Sequence, residues 1–93
     1  MIISEWKSLD KNTLRGVFTV ELDSGLCISG AMLHKKGETS WCGFPGIPQY
    51  QNGAPFLKDG KQVYKPILTI PDRDRRDKFS AQVIKALEDA GHI

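Results

Sequence analysis

Two cysteines, Cys27 and Cys42, and two histidines, His34 and His92, are all this chain holds of the two residue types most used in metal and nucleophile chemistry. No Cys-x-x-Cys pair occurs, and neither histidine stands at metal-ligand spacing from the other or from a cysteine. A disulfide framework is therefore not expected, and the cysteines read as buried thiols. A Cys27–His34 or Cys42–His34 dyad would come without any orienting motif. No phosphate-cradling Gly-rich motif appears, since Gly43, Gly46 and Gly53 match no such spacing. These absences argue against an enzyme, and no catalytic residue, metal ligand or cofactor is expected. Long apolar runs are missing too, which excludes a membrane-spanning helix. Met1 to Trp6 lacks the basic and apolar regions of a signal peptide, so a cytoplasmic protein is expected.

What is present describes one small domain over residues 1–93. A chain of 93 residues buries only about 60% of the surface its unfolded form exposes, so a thin core is expected. Net charge is +2, mildly basic and compatible with an anionic partner without demanding one. The excess is concentrated between Leu33 and Pro71. Lys35, Lys36, Lys58, Lys61 and Lys65 are opposed there only by Glu38 and Asp59.

Hydrophobic patterning gives strands over 2–9, 14–22, 26–34 and 39–44. The first two are separated by the polar turn Asp10-Lys11-Asn12-Thr13, the next two by Asp23-Ser24-Gly25, and the last two by Lys35-Lys36-Gly37-Glu38. Gly30, inside the third strand, predicts a bulge or bend. Residues 46–60 carry Pro48, Asn52, Gly53, Pro55 and Gly60 and read as a loop long enough to be functional or mobile. A last strand is expected over 62–70, at an edge or broken at Pro66, which cannot donate to a ladder. Asp72 then caps a helix whose apolar stripe is Phe79, Val83 and Leu87, and Gly91 stops it. The expected fold is α+β: a curved antiparallel meander of about five strands with one C-terminal helix packed on one face.

This order, together with several local motifs, resembles the SpoVG family of bacterial septation and sporulation proteins. The likeness runs through Leu14 to Leu22, Leu26 to Leu33, the Gly37 turn, Trp41-Cys42-Gly43-Phe44-Pro45, Tyr64-Lys65-Pro66-Ile67 and the closing helix, nearly the whole chain. Gly46-Ile47-Pro48-Gln49 follows Phe44-Pro45 where the family tends to carry Ser-Lys, and the loop here is longer, as in a divergent phage- or plasmid-borne relative. The arrangement is also similar to single-stranded-DNA-binding transcriptional coactivators, which use a basic, aromatic sheet face. The resemblance implies a nucleic-acid-binding homodimer paired through its sheets, a regulator or an accessory of DNA metabolism. A dimer is expected from size as well, because one helix leaves one face of the sheet uncovered.

Nucleic-acid affinity comes from cations on phosphates, with base stacking on aromatics for single strands. The candidate residues are Lys35 and Lys36 at a hairpin tip, Trp41 on the strand leaving it, Lys58 and Lys61 in the long loop, and Tyr64 and Lys65 beyond it. If hairpin and loop meet at one end of the sheet, these form a basic rim carrying stacking platforms. Arg73 and Arg76 join them in the run Asp72 to Lys78, unless that run is a solvated face with ion pairs Asp72–Arg76 and Asp74–Lys78. Trp41, in so short a strand, is more often a core or dimer contact than a stacking platform. The sequence thus favours single-stranded DNA or RNA over duplex. A protein-interaction module that binds no nucleic acid is the alternative, and the near-balanced charge and the segment Pro45–Pro55 suit it.

Overall fold

The patterning of the first 43 residues has one stable outcome, a meander whose alternate side chains share a single apolar face. The computed structural model describes residues 1–93. Its strands are β1 (Ile2–Lys11), β2 (Leu14–Glu21), β3 (Cys27–Lys36), β4 (Thr39–Gly43), β5 (Gly46–Pro48), β6 (Tyr50–Gln51), β7 (Ala54–Pro55), β8 (Leu57–Lys58), β9 (Lys61–Gln62) and β10 (Tyr64–Pro66). The single helix is α1 (Arg73–Asp89). β1 to β4 form one antiparallel sheet in sequence order, and α1 packs on it, which is the α+β fold expected.

Two bulges hold the apolar residues on one face. Ile3 pairs with Val20 and Lys7 with Val17, so β1 carries an extra residue between them. Glu5 takes up that residue at φ +54°, and its carboxylate accepts the Thr19 hydroxyl at 2.8 Å. Phe18 pairs with Ala31 and Val20 with Ile28, which leaves Ser29 and Gly30 opposite one residue. Gly30, at φ +75°, is the bend the sequence predicted. Without it, Ile28 and Leu33 would face opposite sides.

The core is Phe18, Val20, Ile28, Ala31 and Leu33 from the sheet with Val83 and Leu87 from α1. Trp6 and Phe79 pack against it half-buried. The helix begins as its sequence dictates. The Asp72 carboxylate accepts the backbone N–H groups of Asp74 (2.8 Å) and Arg75 (3.2 Å). At the other end Gly91, at φ +81°, turns the chain so that the His92 N–H reaches the Leu87 carbonyl. Ser80 ties the helix to the sheet edge, its hydroxyl accepting the outward N–H of Cys42 at 2.6 Å.

The fifth strand departs from expectation. Residues 62–70 add nothing to the main sheet. β10 pairs instead with β5, and its ladder ends at Pro66 opposite Gly46. Residues 46–60 are not a loop either. Asn52-Gly53 and Asp59-Gly60 both lie at positive φ and close two tight hairpins, β6–β7 and β8–β9. Three ribbons meet where Gln49, Phe56 and Val63 exchange backbone bonds in a ring. The Gln49 N–H donates to Val63 O, Phe56 to Gln49 O and Val63 to Phe56 O, each at 2.9 Å. The result is a three-lobed arm that projects from the sheet. Its effect shows in the whole chain, which exposes 6866 Å² where about 5,400 Å² is usual for a compact monomer of this mass.

Candidate nucleic-acid interface

The face of the sheet away from α1 carries Val17 on β2, Met32 and His34 on β3, and Trp41 and Gly43 on β4. His34 and Trp41 are direct cross-strand partners. Their rings stack with centroids 5.5 Å apart and planes 11° from parallel. Thr13 Oγ1 lies 3.0 Å from His34 Nδ1 and fixes that ring, leaving Nε2 as its free nitrogen. Burial holds the imidazole pKa below its usual 6.5, so the ring is neutral at physiological pH. Gly43 makes room for the stack. A Cβ there would stand 3.0 Å from His34 Nε2.

On one side of the stack lies a notch lined by Trp41, Cys42, Arg73, Arg76, Asp77 and Ser80. The two guanidinium groups are free. Neither arginine is in a salt bridge, and the expected Asp72–Arg76 and Asp74–Lys78 pairs do not form. The reason is local: the Asp72 carboxylate is engaged in capping the helix. On the other side lies an open groove of about 690 Å³ between the sheet face and the arm. Met32, His34, Phe44, Tyr64, Pro66 and Leu68 line it.

The nine candidate residues therefore fall into three groups. Trp41, Arg73 and Arg76, separate in sequence, come together at the edge of β4. Lys35 and Lys36 are exposed at the end of β3. Lys35 turns to the helix side, where it borders Trp6, Arg15 and Ser40, and only Lys36 belongs to the face that carries Trp41. Lys58, Lys61, Tyr64 and Lys65 sit on the arm. Lys58 and Lys61 face each other across β8–β9, and Tyr64 borders the groove. A single continuous rim is replaced by a notch, a hairpin tip and an arm.

Sequence reasoning weighed His34 only as a ligand or base, and it passed over Met32 and Leu68. The alternation of β3 after the Gly30 bend was the available signal, since it puts Met32 and His34 opposite the core residues Ala31 and Leu33.

The cysteines make no disulfide. Of the two thiols expected to be buried, Cys42 is half-buried, and its desolvation pushes its pKa up to about 11. The expectation fails outright for Cys27, which is exposed at the start of β3. The side chains form no group of three or more His, Cys, Asp or Glu able to hold a metal ion. No helix is long and apolar enough to cross a membrane. Comparison with protein-family models, curated proteins and solved structures finds no match.

Proposed function

We propose that this protein is a non-catalytic nucleic-acid-binding protein that prefers single-stranded DNA or RNA and contacts it through the face carrying Trp41. One observation carries the reading. An aromatic ring stacked on a neutral histidine borders two guanidinium groups that form no salt bridge, and the single carboxylate lining the notch, Asp77, leaves it a net positive charge. Cations free of internal partners are available to phosphates, and a flat exposed ring is available to a base. Lys36 at the hairpin tip and the facing pair Lys58 and Lys61 on the arm are further exposed cations, apart from the notch. Like charges set directly opposite on a ribbon destabilise it, and a polyanion relieves that repulsion. The resemblance to the SpoVG family and to single-stranded-DNA-binding coactivators points the same way, and brings with it the proposal of a homodimer.

The test is a fluorescence titration with single-stranded oligonucleotides that follows the emission of the chain's two indoles, Trp41 on the proposed face and Trp6 against the core. Binding should change the indole emission in the wild type. In Arg73→Glu/Arg76→Glu the affinity should fall at least tenfold with the fold unchanged by circular dichroism. Unaltered affinity in that variant would refute the notch.

The protein-partner reading has an observation of its own. The arm exposes Ile47, Tyr50, Phe56 and Leu57. Retained fold with no oligonucleotide binding at low salt would favour it.

A further inference from the structure

We propose that the groove between the sheet and the arm is a nucleobase site, which takes one or more bases of a strand whose phosphates lie along the Arg73–Arg76 notch. The inference rests on the nucleic-acid reading and adds to it a second site and the chemistry of its occupant. Groove and notch lie on either side of one ring pair, His34 stacked on Trp41. A ligand that spans that pair meets two kinds of surface.

At the notch it meets two guanidinium groups outside any salt bridge against the one carboxylate of Asp77, a net positive charge that calls for an anionic backbone. In the groove it meets the Phe44 ring, the Pro66 ring, Leu68 and the broad face of Tyr64, which is 57% exposed. Gly30 and Gly46 border the groove with no side chains, which leaves it wide for flat groups. Its volume of about 690 Å³ lies within the about 300–1,000 Å³ of small-molecule sites. No lysine or arginine lines it. An acidic peptide would bring carboxylates into a groove that offers them no cation. A nucleic acid keeps its charge on the backbone and presents neutral planar bases. Among the lining side chains only Tyr64, with its hydroxyl, and His34, whose Nδ1 is held by Thr13, carry nitrogen or oxygen atoms. They suit one or two hydrogen bonds to a base edge. The arm then has a purpose: it supplies the groove's second wall.

The experiment compares two labelled probes of equal length, an oligothymidylate and an abasic deoxyribose-phosphate chain, at one low salt concentration. The wild type should bind the oligothymidylate about 5- to 150-fold more tightly, the range of a base–aromatic stack. Tyr64→Ala, a change at an exposed position, should lose most of that difference and leave affinity for the abasic chain unchanged. Equal wild-type affinity for both probes would overturn the base site and leave phosphate binding at the notch intact. A Tyr64→Ala loss shared by both probes would also overturn it. Failure to bind either probe would overturn the nucleic-acid reading itself.

Discussion

Gly16 shows how little slack the small core leaves at single residues. It faces the core from β2, and a Cβ there would overlap the six-membered ring of Trp6, which lies directly across it. Trp6 in turn tilts against Phe18, with centroids 6.0 Å apart, and stacks on His92 at 5.0 Å. Gly16→Ala must therefore displace the indole. It should cost about 1–3 kcal/mol, a Tm loss of about 4–8 °C per kcal/mol in a domain this size, read by thermal melting. His34 links stability to pH. Because burial lowers its folded pKa, the unfolded chain takes up the proton first as pH falls. The His34 contribution is whole above 6.5 and is lost as pH drops through the lowered folded value. In denaturant melts across that range, His34→Gln should lose less stability on acidification than the wild type. The cysteines should separate chemically as well. At neutral pH a thiol reagent should label exposed Cys27 well before Cys42, whose pKa near 11 keeps it protonated.

The elements differ in how firmly each is held, and in how legible each was. The meander and the helix follow from patterns the sequence displays openly: alternation in β2, Gly30 at the bend, Asp72 at the cap, Gly91 at the stop. Asp72→Ala should cost about 0.5–2 kcal/mol in thermal unfolding. It should also leave the Arg76 guanidinium free, since no carboxylate pairs with it before or after the change. The arm was less legible. Asn52-Gly53 and Asp59-Gly60 are strong hairpin signals, but each joins strands of only two residues, too short to show alternation. The ring of bonds through Gln49, Phe56 and Val63 gives no side-chain pattern, because it is made entirely by the backbone. Leu57, Lys58, Lys61 and the two turns are all exposed or nearly so, and little of the arm is buried. It should therefore open independently of the sheet. Its amides should exchange with deuterium well before those of β2 and β3, and Gly60→Val should disturb the arm's signals with little change in global Tm.

At the scale of the molecule, a sheet covered by a helix on one side leaves its other side open. Sequence reasoning reached that asymmetry from the count of helices alone. It named Trp41, Arg73 and Arg76, but not their adjacency, which depends on α1 crossing the β4 edge and on Ser80 fastening it there. The groove is not legible in the sequence, because 62–70 reads as a strand of the sheet, whereas Tyr64 and Pro66 stand opposite the sheet on the arm. Phosphate neutralisation is the central claim, and salt tests it most directly. The measurement is fluorescence anisotropy of a labelled single-stranded oligonucleotide, titrated with protein at several salt concentrations. Binding that weakens linearly in log–log form, with a slope of about −0.7 per phosphate neutralised, is the result the account requires. It requires further that the slope become shallower when Arg73 and Arg76 are replaced. No binding at the lowest salt, or binding indifferent to salt, would contradict it.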